Sequence, residues 1–423
     1  MTRLTDVQVK KITVRNFRNY QGATLEFSPR RNILIGENAQ GKTNLLEAIE
    51  IISNGRSDRA TSDRELIAMG QSETMIELVY EARSMQGIAE TVSLVVSQGE
   101  RLSRKVRING LPQSAQNRAQ IGVGRALCRL TTVSFKAQDL SLLRDGPKYR
   151  RDWLDLLALK LKPGHNDLLT KYEKVVAQRN RLLKTFFEKG SLAVSDQDEL
   201  KVWDKQLSYY GALVIKSRVD ALETAIPEAE TFHAGISGLR EKLKCNYIFR
   251  QKEIDHAEGD SGNDNAGPAA DKSIGTNEIF AMEAKELALI IMKNLRLRRS
   301  EEIARRQTLT GPHRDDVSFD LNGMAATAYA SQGQQRSLVL ALKLAELKLV
   351  SQVLDEPPLL LLDDVLAELD LLRQGTLMQM VSEEMQTLIT TTHLSGFRPE
   401  WLAGAQIVEV AGGTLRPPLA SGI

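Results

Sequence analysis

Asn32 to Ile35 reads as a short apolar strand and runs directly into Gly36-Glu37-Asn38-Ala39-Gln40-Gly41-Lys42-Thr43, which opens the helical string NLLEAIEIIS at Asn44. Strand, Gly-rich loop and helix in that order make a P-loop, and few other sequence features restrict a fold so strongly. The glycines let backbone N–H groups of residues 36 to 44 close around phosphate oxygens, and the helix N-terminus adds its dipole. Lys42 is placed to reach β- and γ-phosphates, and the Thr43 hydroxyl to ligate Mg²⁺. A P-loop also demands a parallel sheet behind it, with ligands at the carboxyl ends of the strands.

The second half of such a site is legible at Leu359-Leu360-Leu361-Leu362-Asp363-Asp364, a buried strand that delivers two acids to the sheet edge. Asp363 is expected to hold Mg²⁺ and Asp364 to orient the attacking water. Ser331-Gln332-Gly333-Gln334-Gln335 precedes a long amphipathic stretch, Gln334 to Leu354, about thirty residues upstream of the acids. A serine hydroxyl, a glycine backbone and a helix N-terminus in a row make a second anion site that resembles the ABC signature, which clamps the γ-phosphate held by an opposite subunit; the plain alternative is a Ser N-cap. His393, after the β-branched LITTT, fits a switch histidine for the γ-phosphate, or a structural histidine at a strand end. Asp370 in Glu368-Leu369-Asp370 stands where a D-loop meets the other subunit. Gln138 stands where a Q-loop glutamine would join metal and helical lobe.

At 423 residues the chain exceeds what one core organises, and its texture changes along its length. Residues 9 to 35 alternate as strands do, Met75–Val79 and Glu90–Val96 continue that style, and Arg104–Asn109 enters an Asn-Gly turn. Helical spacing begins near Pro147. Residues 251 to 277 are rich in Gly, Asp and Asn and are expected to form a mobile surface loop. The fold class expected is α/β: an ABC/SMC-like P-loop ATPase head with an inserted helical lobe and no long coiled coil. Its N-terminal part would take residues 1–150, the lobe 151–300, and the C-terminal part 301–423.

Charge excludes a long-range field, because 56 Lys plus Arg face 54 Asp plus Glu. Nucleic-acid contact would therefore need local clusters: Arg101, Arg104, Lys105 and Arg107 on one hairpin, and Lys293, Arg296, Arg298, Arg299, Arg305 and Arg306 on the returning helix. Solvated faces interleaved with acids are the ordinary alternative. Cys128 and Cys245 are the only cysteines, too few for a disulfide framework or a thiolate zinc site within one chain. With no apolar leader and no spanning segment, a cytoplasmic place is expected.

Several strings point past the ABC class. Asn16-Phe17-Arg18-Asn19-Tyr20, Ser57 and Arg59, Asp139-Leu140, Gly146-Pro147, Arg150-Arg151, Leu154-Asp155, Gly311-Pro312-His313-Arg314-Asp315-Asp316 and the paired acids at 363 and 364 together resemble the RecF family of bacterial recombination mediators. The chain departs from that family at Ala137-Gln138, where Pro-Glu is usual, and in the acidic loop near residue 260. About 290 residues between Thr43 and Ser331 suit a compact lobe and not an SMC arm. The resemblance implies a weak, DNA-stimulated ATPase acting as a DNA clamp, an ATP-dependent homodimer that recognises duplex next to single-stranded gaps. With RecR and RecO it would place RecA in recombinational repair, replication restart and the SOS response, at the nucleoid. An SMC-like DNA scaffold and a transporter's nucleotide-binding subunit are the alternatives.

Overall fold

The structure is a computed structural model and describes residues 7–82, 87–114, 130–162, 164–189, 194–252, 271–381 and 385–416. Cys128 and residues 253–270 of the expected loop lie outside the described residues. In chain order the strands and helices used below begin with β1 Gln8–Phe17, β2 Tyr20–Glu26, β3 Arg31–Ile35 and α1 Lys42–Asn54. There follow β4 Glu73–Glu81, β5 Glu90–Gln98, β6 Leu102–Ile108, β7 Leu111–Pro112 and β8 Thr132–Lys136. Then come α2 Pro147–Leu161, α3 His165–Lys189, α4 Val194–Ser237, β9 Leu243–Lys252, β10 Asp271–Ile274 and α5 Ala284–Leu297. The last are β11 Asp316–Leu321, β12 Met324–Ala325, α6 Gln332–Leu354, β13 Leu359–Asp363, α7 Leu371–Met380, β14 Thr387–Thr391, β15 Gln406–Ala411 and β16 Thr414–Arg416.

Two compact units emerge. The first comprises residues 1–140, 231–239 and 336–423 and holds two sheets. One is antiparallel, in the order β2-β1-β4-β5-β6-β7; the other, β16-β15-β3-β14-β13-β8, is parallel except for its edge strand β16. Helix α1 lies between them. Its Leu45, Leu46, Ile49, Ile51 and Ile52 share one core with Ile12, Val14 and Ile76 of the antiparallel sheet and Leu361, Leu388 and Val408 of the parallel one. That burial on all sides explains why NLLEAIEIIS carries apolar residues around the whole helix instead of along one stripe. The opposite face of the parallel sheet packs Ile33, Leu360, Leu362 and Ile389 against Leu340, Leu344 and Leu347 of α6 and Leu377 of α7. For the same reason α6 is buried almost continuously from Ser337 to Leu347, and not amphipathic as its sequence suggests. The Asn-Gly turn forms as expected: Asn109 and Gly110 both take positive φ and join β6 to β7.

The second unit comprises residues 141–230 and 240–335. Its helices are α2, α3 and most of α4, which continues through Pro227, and α5; its sheet has the order β10-β9-β11-β12. Strand β9 falls where the sequence suggests only helical insertion. It is needed to complete the sheet, pairing Leu243–Ile248 with Leu321–Asp316 of β11. That pairing, with Ile303 against Leu183 and Phe186, gathers residues 301–335 into this unit, whereas the sequence assigns them to the C-terminal part of the head. The described ends of the 251–277 segment are ordered pairs, Lys252 opposite Asp271, and a short helix at Thr276–Ala281.

Candidate nucleotide site

Parallel register brings the chemistry to one edge of the first unit. Asp363 at the end of β13 stands opposite Thr390 of β14 and Lys136 of β8, and Thr391 stands opposite Ile35, where the loop begins. Thr43 Oγ1 donates to Asp363 Oδ1 at 2.8 Å, and Thr390 Oγ1 donates to the same oxygen at 2.7 Å. Lys42 is buried, with Nζ donating to the loop's own carbonyls at Gly36 (2.6 Å) and Glu37 (3.0 Å). Gly41 caps α1 at φ 115°, and no side chain caps the first-turn N–H groups. Helix dipole, uncapped N–H groups and an ammonium therefore converge where an anion fits. Thr43 and Asp363 supply hard oxygen donors of the kind Mg²⁺ takes.

The loop's shape is held from outside by residues whose strings carry the family resemblance. A Cβ on Gly36 would stand 2.2 Å from the Val410 carbonyl oxygen, and one on Gly41 would stand 2.8–2.9 Å from Asn19 and Tyr20 side-chain atoms. Tyr20 Oη donates to Gly41 O (3.0 Å), Asn19 Nδ2 to Gln40 O (2.9 Å) and Asn44 Nδ2 to Asn19 Oδ1 (2.8 Å). Arg18 grips buried Glu47 through two bonds of 3.0 and 2.5 Å, Ser57 donates to the same carboxylate, and Arg59 bridges it to Asn44. Behind α1, Lys136 Nζ meets buried Glu50 at 2.7 Å. Burial works against the Lys136 charge, but the Glu50 and Asp58 carboxylates overcome it and hold that ammonium well above its usual range.

Asp364 is half-buried in the left-handed region at φ 55°, a strained state for a non-glycine residue, with its N–H donating to Thr390 Oγ1 at 2.9 Å. Burial raises its pKa, Lys42 pulls it down, Asp363 and Glu368 push it up again, and His393 acts with Lys42. Lys42, Asp363, Glu368 and His393 thus all act electrostatically on this one carboxyl group. Thr390, invisible to motif reading because it is an ordinary strand residue, is the joint between the two acids. His393 is exposed, with Nδ1 2.9 Å from Thr392 Oγ1. Gln138 is exposed on the turn just past β8. Asp370 caps α7 by accepting from Arg373 N (2.9 Å), while Arg373 and Arg336 tie the 366–370 turn to α6.

In the second unit Ser331 and Gln334 form a reciprocal capping box at the start of α6, with bonds of 2.8 and 3.3 Å. Ser331, Gln332 and Gly333 are exposed. Most of the Gly311 to Asp316 string builds a buried polar network, while Arg314 is exposed. Arg150 pairs twice with Asp316 (2.7 and 3.0 Å), Arg151 donates to Asp315 O, and Tyr247 Oη donates to Asp315 Oδ2. Arg218 clamps Asp155 (2.7 and 2.8 Å) and donates to Pro312 O. His313 Nδ1 lies 2.6 Å from Tyr172 Oη, and burial lowers its pKa to about 4.

The basic residues singled out by sequence divide. On β6, Lys105 and Arg107 are exposed on one face, whereas Arg104 lies on the other face and meets Asp63 at 3.5 Å. Arg299 reaches buried Asp204 at 2.7 Å, beside Arg179, which is fully enclosed by Asp204, Glu302 and Thr308. Arg298 stands 3.9 Å from Glu301. Arg299 thus belongs to a structural ion network, and Arg298 and Arg305 share Glu301, so the cations of the returning helix are interleaved with acids, as in the ordinary alternative.

A Gly-rich loop leading into a helix on a parallel sheet, an acidic strand end beside it and an inserted helical unit make the fold of an ABC-type ATPase head of the SMC kind. The Smc head domain of Pyrococcus furiosus bound to the C-terminal domain of ScpA shares that fold at 13% identity and TM-score 0.50, over 97% of this chain and 95% of that one. The family model described as RecF/RecN/SMC N terminal domain matches residues 8–402. Within that class the chain belongs to the RecF family. The DNA replication and repair protein RecF of Synechococcus sp. (strain JA-3-3Ab) is 41% identical over 96% of this chain and 97% of its own length. Its counterpart in Nostoc punctiforme is 39% identical over 97% and 100%. The solved recombination mediator protein RecF-ATPrS of the RecFOR pathway matches at 28% identity and TM-score 0.79, covering 98% of this chain and 99% of that one.

Proposed function

We propose that this protein is a DNA-binding ATPase of DNA replication and repair, whose two nucleotide sites are completed when two copies meet head to tail. The carrying observation is the bond from Thr43 Oγ1 to Asp363 Oδ1 beneath an uncapped P-loop. Lys42 would exchange two backbone carbonyls for β- and γ-phosphate oxygens, and the N–H groups of residues 36 to 44 would close around them. Mg²⁺, held by Thr43 and Asp363, would neutralise phosphate charge. Asp364 would orient the attacking water, His393 would meet the γ-phosphate through Nε2, and Gln138 would approach the metal. Ser331, Gln332, Gly333 and Gln334 would face the phosphate of the partner copy, with Asp370 at the junction. The exposure of residues 331 to 333 at the start of a 23-residue helix supports that reading.

The relatives' names, a DNA replication and repair protein and a recombination mediator of the RecFOR pathway, support a role in recombinational repair, and within it we place the loading of RecA on gapped duplex with RecR and RecO. Lys105 and Arg107 are candidate contacts to DNA. No described helix is long and apolar enough to cross a membrane, and we place the protein in the cytoplasm at the nucleoid. ATP turnover measured with and without duplex DNA, alongside light scattering with ATP, tests this. Turnover that rises with DNA and a mass that doubles with ATP are expected. A monomeric ATPase indifferent to DNA would overturn it.

A further inference from the structure

The second unit carries an open groove of about 490 Å³ that the nucleotide site does not use. Lys148, Arg151, Arg298, Arg305 and Arg314 line it, against the two carboxylates of Glu301 and Asp315. Glu301 is shared by Arg305 at 3.1 Å and Arg298 at 3.9 Å, and Asp315 accepts from Tyr247 Oη at 2.7 Å, so the cations outnumber the carboxylates and the lining stays net positive. The N-terminus of the 15-residue helix α2 also opens here through Gly146 and Pro147, with no side chain capping it. A second, independent feature points to a ligand. Thr310 is 3% exposed, lines the groove, and its Oγ1 has no hydrogen-bond partner among the described residues. A buried hydroxyl left without a partner is destabilising, so its retention calls for an occupant that pairs with it. Burial and then the Arg218 cation press Arg151 below its usual value, and an anion alongside relieves that.

Cations, a helix N-terminus and an unpaired hydroxyl select phosphate. Among the described residues no phenylalanine, tyrosine or tryptophan lines the groove, and the His313 ring that does is mostly buried and held by Tyr172 Oη at 2.6 Å, so a nucleobase finds no open stacking platform. We propose that this groove of the helical unit grips the phosphodiester backbone of DNA, without reading sequence. The inference rests on the DNA-binding reading above and adds the surface that does the binding.

The test compares wild type, the double variant Lys148→Gln/Arg305→Gln and Thr310→Val by anisotropy of a labelled duplex in ATP across a salt series. Lys148 and Arg305 are exposed, so neither change threatens the fold. The double variant should bind roughly tenfold more weakly and lose about 1.8 from the log–log salt slope, about 0.9 for each phosphate released. Thr310→Val should weaken binding roughly threefold with no change of slope and without loss of thermal stability, because the hydroxyl removed bonds nothing in the protein. Affinity for a fluorescent ATP analogue should stay at the wild-type value in all three. A wild type that binds no duplex sinks the parent reading and this one together. A wild type that binds while the double variant keeps its slope overturns the groove alone. Loss confined to duplexes with 5′-terminal phosphates, and competed by inorganic phosphate, would replace backbone contact with capture of a phosphate monoester.

Discussion

The P-loop edge of the first unit and the Gly311–Asp316 network of the second are both dense in charged side chains, yet they are built in opposite ways. Around the P-loop the donors are mostly backbone N–H groups without caps, Asp364 sits in a strained conformation, and His393 and Gln138 stand exposed. Around Gly311 nearly every charge is matched: Arg150 by Asp316, Arg218 by Asp155, Asp315 by Tyr247. An incomplete polar site awaits a ligand, whereas a complete one holds a scaffold. Family-specific strings thus do two jobs, and only bond-by-bond accounting separates them.

The largest effect that would test this contrast is on stability. Asp155→Ala leaves Arg218 buried at 3% exposure without its carboxylate, and breaking such a pair costs about 3–5 kcal/mol. Burial opposes the Asp155 charge, but Arg218 and the His165 hydrogen bond overcome it and hold this carboxyl well below its usual range. Chemical denaturation should show the loss, with nucleotide affinity of the residual folded protein little changed. A cost under about 1 kcal/mol would mean the network is not the scaffold described.

Asp364→Asn should do the reverse. It keeps shape and removes the charge that orients water, so ATP turnover should fall roughly 10²-fold while the fold is unaffected. ATP affinity should persist, since Thr43 and Asp363 are untouched, and labelled gapped duplex should be released more slowly. Turnover within about twofold of wild type would remove Asp364 from the chemistry.

Acid should act on the second unit through His313. Its pKa is lowered from 6.5 to about 4 in the fold, chiefly by burial, so the unfolded chain takes up the proton first. Stability should be level above about pH 6.5 and fall by up to about 3 kcal/mol as the pH drops toward 4. His313→Gln should flatten that part of the profile. An equally steep decline in the variant would assign it to other groups.

Ser331 offers the smallest stability effect and the sharpest distinction between scaffold and site. Ser331→Ala removes half of a capping box and should cost about 1 kcal/mol. Ser331→Arg should leave ATP binding by the monomer intact but abolish the ATP-dependent dimer, because a bulky cation fills the place of the partner's phosphate. A dimer persisting by light scattering would reduce Ser331 to its cap.

Much of the fold was legible because its signals are local. Strand alternation, the Asn109-Gly110 turn and the Gly36–Thr43 loop depend on neighbouring residues, and backbone sterics act at that range. Long-range partners were not legible. Arg299 and Arg104 stand in basic runs that the sequence leaves open between DNA contact and a charge-balanced face, and their partners are distant in the chain: Asp204, 95 residues away, lies 2.7 Å from Arg299, and Asp63 lies beside Arg104. Strand β9 carries a local signal, the alternation of Leu243, Cys245, Tyr247 and Phe249, all buried, which the helical spacing around it obscures; only its pairing with β11 is a long-range fact, as the Asn246–Ser318 separation of 72 shows.

By itself the sequence determined the P-loop, the acidic strand end, the change from sheet to helical texture and the family, since each is carried by residue types at fixed short spacing. Only the tertiary structure decided that Thr390 joins the two acids, that residues 301–335 belong with the helical unit, and that Thr310 is left unpaired among cations in a groove. The reason is physical: a hydrogen bond or ion pair is decided by distance in space, and contacts between residues far apart in the chain are set by how strands pair and cores fill.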